Sequence, residues 1–289
     1  MFRFEEDGMY QMPVHFGPCC GPRRGPDGER LYKKGSQEST QHMLVYETDA
    51  KAVSRYLPEG FSVRMPYIII THKMHRNLPW LAGHGYNVTT FNVPVTYCGT
   101  NDEIKGQYQL AIWENHADPI ICGREQLGYS KIYADITDIC EEEDGTYAAL
   151  SSWNFEFLKL HFKMDEFKMD EKPDDLSEMQ KVLFDEENEG IMHYKYIPHS
   201  EAGFNKADVQ YVTITPKTFP APEDAKPLPQ PERVWGNASL EWWIPEWKDM
   251  PTQYHIVQGL ASLPILRVVG ASKVHLWHYN DVYHQKAIE

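Results

Sequence analysis

The sequence predicts an α+β protein: a mostly antiparallel sheet or barrel with a few helices packed at its edge. Three observations carry that expectation. Most apolar stretches alternate or form β-branched runs of strand length. The links between them are of hairpin length. Along the 289 residues there is no strand–helix alternation, no glycine-rich phosphate loop and no internal repeat.

Taken in order, residues 1–40 read as an extended arm, because Pro and Gly punctuate 18–28 (Pro-Cys-Cys-Gly-Pro-Arg-Arg-Gly-Pro-Asp-Gly) too often for a regular element. Its Arg23, Arg24 and Arg30 read as surface charges, with a substrate carboxylate as the functional alternative. Residues 41–289 are expected to form one domain with an acidic insertion near 163–190. Residues 42–47 predict a strand, and 49–56 a short helix capped by Thr48 or Asp49 and stopped at Leu57-Pro58-Glu59-Gly60. Residues 67–74 (Tyr-Ile-Ile-Ile-Thr-His-Lys-Met) predict a buried strand. Strands are also expected at 86–97, interrupted by Pro94, and at 106–114; Asp118-Pro119 then starts a turn. Beyond an acidic turn at 141–145, residues 146–160 predict one or two long strands. Further strands are expected at 192–198, 209–215, 236–243 and 273–279. Helices are expected at 176–184 and 255–263, the latter ended by Pro264, and 219–231 reads as a proline-rich loop.

A formal charge of −14 disfavours nucleic acid and anionic membrane as partners. The acidic stretches 165–175 and 185–189 read as solvated surface rather than as a metal site. The start has no basic and apolar leader pattern, and no run approaches the roughly 18 apolar residues of a membrane span. Five unpatterned cysteines fit a reducing cytoplasm.

The chemistry centres on 123–135, Gly-Arg-Glu-Gln-Leu-Gly-Tyr-Ser-Lys-Ile-Tyr-Ala-Asp. Lys131 sits there among apolar neighbours. Either it snorkels, stem packed and ammonium in water, or it is held where its charged form is disfavoured and the amine attacks carbonyls.

Gly123-Arg124-Glu125 followed by Gly128-Tyr129-Ser130-Lys131 resembles the Schiff-base segment of the acetoacetate decarboxylase superfamily, Gly-Arg-Glu and then Gly/Ala-Tyr/Phe-Pro-Lys. Weaker similarity extends from about Gln41 to Leu276. The resemblance implies a closed, mostly antiparallel β-cone with helices around it, assembled into homo-oligomers, with Lys131 forming an imine. Arg124, Glu125, Ser130 and Ile132 belong to the motif as support, the first two as a structural ion pair. Ser130 replaces the motif's proline, and Ile132 a second lysine. The two active-site glutamates of the decarboxylases align with Thr71 and Val88, which are thereby pocket candidates, and the substrate-binding arginine with Ser39. No Glu lies between Glu59 and Glu103. Those departures predict little turnover of acetoacetate; release of carbon dioxide at a rate on the order of 10 per second would overturn that expectation.

An imine mechanism also needs a proton carrier at the adjacent carbon. His72, His75 and His84 are the candidates, and Tyr86 and Tyr129 could donate to a developing oxyanion. For each of them a purely structural role is the alternative. No metal or other cofactor is expected, since the iminium supplies its own electron sink and His72/His75 lack a third ligand. The sequence therefore predicts a cofactor-independent lyase acting on a keto acid, ketone or aldehyde, with an aromatic one hinted at by the Trp and Tyr content. The expected reaction is aldol, retro-aldol or dehydration chemistry. A β-keto acid decarboxylase and a non-catalytic ligand-binding relative are the alternatives. In borohydride trapping, Lys73 and Lys105 are expected to stay unlabelled.

Overall fold

A computed structural model describes residues 2–31, 37–165, 174–201, 205–218, 220–223 and 225–289. Residues 32–36 of the expected arm, most of the acidic stretch 165–175, and Phe219 and Asp224 of the expected loop lie outside the described residues.

The described strands are, in chain order, β1 (Gln37–Glu47), β2 (Phe61–Val63), β3 (Tyr67–Arg76), β4 (Tyr86–Cys98), β5 (Glu103–Glu114), β6 (Lys131–Tyr133), β7 (Asp135–Ile136), β8 (Cys140–Glu142), β9 (Gly145–Ser152), β10 (Phe155–Asp165), β11 (Gly190–Pro198), β12 (Ala207–Pro216), β13 (Glu232–Trp242), β14 (Arg267–His278) and β15 (Lys286–Ile288). The helices are α1 (Ala50–Ser54), α2 (Ala117–Cys122), α3 (Asp174–Leu183) and α4 (Tyr254–Ala261). This is the expected α+β class. All strands join one sheet with the order β15-β12-β11-β5-β4-β3-β1-β14-β13-β10-β9-β7, while β2, β6 and β8 attach to β4, β5 and β9. Most pairs are antiparallel; β11–β5 and β5–β6 are parallel. The ladder is an open path with β15 and β7 as its ends, so hydrogen bonds do not close the cone that the resemblance implied.

Strand alternation divides the residues between two faces. In β3 the even positions Ile68 and Ile70 enter the main core with Leu44, Phe91, Val93 and Leu160. The odd position Ile69 packs with Val45 and Val269 under Met179 and Val182 of α3. Further along β3 the same odd face carries Lys73 and His75, and there the sheet is covered by a cavity instead of a helix.

Asp49 caps α1 as expected, its carboxylate accepting from the Ala52 amide at 2.6 Å. Several stretches differ from the sequence expectation. Strand β1 starts at Gln37, and β14 at Arg267. Residues 117–127, expected as a turn, form α2 and then a π-helical turn, Gly123–Leu127, because His116 caps the start and Pro119 fits a first helical turn. The 185–189 stretch is not simply solvated: Asp185 is paired with Arg64, and Glu187 with Lys105. No helix among the described residues is long and apolar enough to cross a membrane.

Candidate active site

A cavity of about 620 Å³ opens on the odd face of β3. Strands β3, β4, β5 and β6 form its floor, and β11, β12, β14 and the π-turn add to its walls. Register sets what meets there. Lys73 lies opposite Val88, and Val88 opposite Glu114, giving one row across three strands. The next row runs Thr71, Thr90, Ile112, Lys131.

Lys131 is 5% exposed, and its Nζ lies 2.9 Å from Glu114 Oε1 and 3.0 Å from the carbonyl of Pro119. The amine is therefore buried and paired, and it does not snorkel into water. Glu114 is 1% exposed. Burial pushes its carboxyl above the ordinary range, and Lys131 opposes that rise. Its second oxygen, Oε2, is buried with no partner among the described residues.

The motif holds this lysine in place for identifiable reasons. A Cβ on Gly123 would fall 2.3 Å from Lys131 Cδ and 2.9 Å from Nζ, so only glycine lets the side chain pass. Arg124 Nη1 donates to the Lys131 carbonyl at 2.9 Å. That contact replaces the expected ion pair with Glu125, which is exposed. Gly128 ends the π-turn at φ +87°, a left-handed conformation that glycine adopts without strain. The Ser130 hydroxyl is buried without a partner among the described residues. Ile132 points to the opposite face and packs on the core. Gly123→Ala is expected to displace the Lys131 amine, changing its labelling by an amine reagent several-fold in peptide mass mapping while the fold persists. Unchanged labelling would mean that the cleft beside Gly123 yields.

The other expected site residues divide cleanly. Tyr129, Tyr86 and Val88 line the cavity. The Tyr129 hydroxyl is 2.6 Å from Thr215 Oγ1, its ring packs against that of His193 at a tilt of 32° with centroids 4.0 Å apart, and Lys131 Nζ sits 5.1 Å from the ring centre. Burial raises both tyrosines, Tyr129 to about 12 and Tyr86 well above the ordinary value, so both are hydrogen-bond donors near neutrality. Thr71 is buried on the cavity-side face of β3 but does not reach the cavity wall. His72 is not in the site: period two turns it to the core face, where Nδ1 meets Thr89 Oγ1 at 3.2 Å. His84 is exposed in the turn before β4. Ser39, aligned with the substrate-binding arginine, is buried and accepts a hydrogen bond from Gln41. Two of the three arginines of the arm are clamps rather than surface charges: Arg23 donates to the carbonyls of Val282 and Gln285, and Arg30 pairs with Asp281 at 2.8 Å.

Sequence reasoning missed Glu114, Lys73, His193 and His278, all of which line the cavity together with His75. Burial lowers the three histidines, His193 to about 3, His278 to about 4 and His75 well below the ordinary value, so all are neutral near pH 7. Nδ1 of His75 and of His193 has no partner among the described residues. Among those residues no group of three or more His, Cys, Asp and Glu side chains could hold a metal ion.

Several solved structures share the fold. The acetoacetate decarboxylase of Legionella pneumophila subsp. pneumophila str. Philadelphia 1 is 18% identical, with a TM-score of 0.59 and 88% of each chain covered. A structure described as an acetoacetate decarboxylase is 14% identical, with a TM-score of 0.60 over 99% of this chain and 98% of that one. The enduracididine biosynthesis enzyme MppR, complexed with the condensation product of pyruvate and imidazole 4-carboxaldehyde, is 14% identical, with a TM-score of 0.55 over 93% and 92%. No curated protein sequence matches the chain. The acetoacetate decarboxylase family model matches residues 11–285. A match over nearly the whole length supports an enzyme of the lyase type, and the chain belongs to the acetoacetate decarboxylase family.

Proposed function

We propose that this protein is a cofactor-independent lyase that forms an imine between Lys131 and a carbonyl compound, most simply a keto acid. One observation carries the proposal: a buried amine 2.9 Å from a buried carboxylate at the wall of a cavity large enough for a substrate. An amine nucleophile beside a proton carrier is the arrangement that imine formation requires. Glu114 takes a proton from the Lys131 ammonium. The neutral amine adds to the carbonyl, and Glu114 returns the proton to the carbinolamine oxygen, which leaves as water. The iminium then draws electrons from the adjacent carbon. Glu114 or Tyr86 is positioned to move the proton there.

From the iminium, aldol chemistry and dehydration are the favoured outcomes. The aromatic lining (Trp80, Tyr86, Tyr129, Trp277) supports an aromatic carbonyl partner. Decarboxylation of a β-keto acid is the second reading, and a specific observation favours it. The cavity contains a carboxylate and a second amine after all, Glu114 and Lys73, supplied by strand positions outside the motif. The expectation of little acetoacetate turnover thereby loses part of its basis.

Borohydride reduction in the presence of pyruvate, acetoacetate, phenylpyruvate or aromatic aldehydes, followed by peptide mass mapping, tests the proposal. A reduced adduct on Lys131 is the expected result. Turnover of any carbonyl substrate without an adduct at Lys131 would sink it. Lys105, which is paired with Glu187 at the surface, is the control amine. Lys73 is not a control, because it lines the same cavity.

A further inference from the structure

We propose that Lys73 is the carboxylate anchor of this site, which makes the substrate a carboxylic acid whose carbonyl is presented to Lys131. The inference deepens the imine reading above and rests on it for the role of Lys131.

The geometry is a matter of register. Lys73 and Glu114 flank Val88 in one row, which puts their Cα atoms two strand spacings apart, roughly 10 Å. Lys131 meets Glu114 from the far side. The cavity thus has an amine at each end of a short path and one carboxylate between. Glu114 is committed to Lys131 at 2.9 Å. Among the described residues the Lys73 ammonium makes no hydrogen bond and no ion pair, although its side chain is half-buried. The Lys131–Glu114 pair is neutral overall, and the cavity histidines are uncharged near pH 7. Lys73 is therefore a cavity cation with no hydrogen bond or ion pair among the described residues, whereas Lys217, which also lines the cavity, donates to the carbonyl of Asp185.

A half-buried cation with no counter-ion is unfavourable unless something anionic joins it. Burial lowers Lys73; the attraction of Glu114 opposes that, and a smaller repulsion from Lys131 adds to it. The two amines are thus close enough to feel each other across the same space. A carboxylate bridging from an imine at Lys131 would pair with Lys73 by a charge-assisted hydrogen bond. A neutral ketone would leave that cation as unbalanced as before.

Phenyllactate is a suitable probe, because it has the carboxylate and an aromatic ring but no carbonyl to form an imine. Its binding to wild type and to Lys73→Gln is measured by calorimetry. Lys73→Gln is expected to weaken it on the order of 10- to 100-fold, and Lys73→Arg, which keeps the cation, to weaken it less. In the trapping assay the same glutamine variant should raise the phenylpyruvate concentration needed for half-maximal labelling of Lys131 by a similar factor. Labelling by the uncharged phenylpyruvamide should not change. In wild type, phenyllactate affinity should fall as pH rises through the Lys73 value, with a midpoint below the ordinary lysine value of about 10.4. In Lys73→Arg, whose guanidinium stays charged, that fall should disappear, whereas titration of Lys131, Tyr86 or Tyr129 in the same cavity would leave it in place; this comparison tests the anchor even if Lys73→Gln folds poorly.

Equal phenyllactate binding by wild type and Lys73→Gln overturns the anchor. So do an equal loss for acid and amide, and a borohydride adduct on Lys73 itself. The two readings fail separately. Phenyllactate binding that depends on Lys73, with no adduct at Lys131, sinks the imine and leaves the anchor. An adduct at Lys131 that ignores Lys73 does the reverse.

Discussion

Lys131→Arg should lose the borohydride adduct entirely and lower turnover on the order of 10⁴-fold or more, the scale on which removing a covalent nucleophile acts. Arginine keeps a positive charge for Glu114 but is never deprotonated in proteins, so it cannot attack a carbonyl. The guanidinium is bulkier than the amine, and the cleft is tight: lysine Cδ already passes where a Cβ on Gly123 would sit. Lys131→Met is therefore the companion variant. It fills similar space without charge and leaves Glu114, raised by burial, free to take up a proton. Both variants should unfold cooperatively by circular dichroism, so that loss of activity is read as chemistry. A variant that folds and still turns over its substrate within tenfold of wild type would remove Lys131 from the mechanism.

The part of the site legible in the sequence is the part built from local chain. Gly123, Arg124, Gly128 and Lys131 lie within nine positions, and each has a local reason: room for the lysine stem, a clamp on its carbonyl, a left-handed turn, the amine itself. The fold class was legible for a similar reason, since period-two alternation is local. Glu114 was not. At a strand end before Asn115-His116 it has the look of a surface charge, and only the parallel pairing of β5 with β6, across residues distant in sequence, turns it to Lys131. Lys73 lay within reach of sequence reasoning. It alternates with His72 and shares parity with His75, so once one of those histidines faced the site the other had to face away. Naming His72 and His75 together as candidates ignored that rule. The helical character of 117–127 was hidden because Asp118-Pro119 reads equally as a turn and as a first helical turn.

Glu114→Gln separates proton transfer from binding. Glutamine keeps the shape and can still accept from the Lys131 ammonium, but it cannot carry a proton. With the amine still present, kcat should fall on the order of 10²- to 10⁴-fold, the usual worth of a positioned acid–base group. KM for a carboxylic acid substrate should change little, because the anchor lies at Lys73. Glu114→Ala should instead cost stability, about 3–5 kcal/mol, by leaving Lys131 buried without its counter-charge. The pH dependence carries a sign of its own. Burial raises Glu114, so the fold favours its protonated form. That contribution to stability is whole below the unfolded value of about 4.3 and is lost as pH rises through the higher folded value. Glu114→Gln has no proton to lose there and should flatten that segment of the thermal-midpoint profile. Unchanged kcat in Glu114→Gln would move the proton carrier elsewhere, with Tyr86 the next candidate: it lines the same cavity, is pushed well above the ordinary tyrosine value, and lies within the field of Glu114. Tyr86→Phe in the Glu114→Gln background then decides whether one proton path or two serve the iminium.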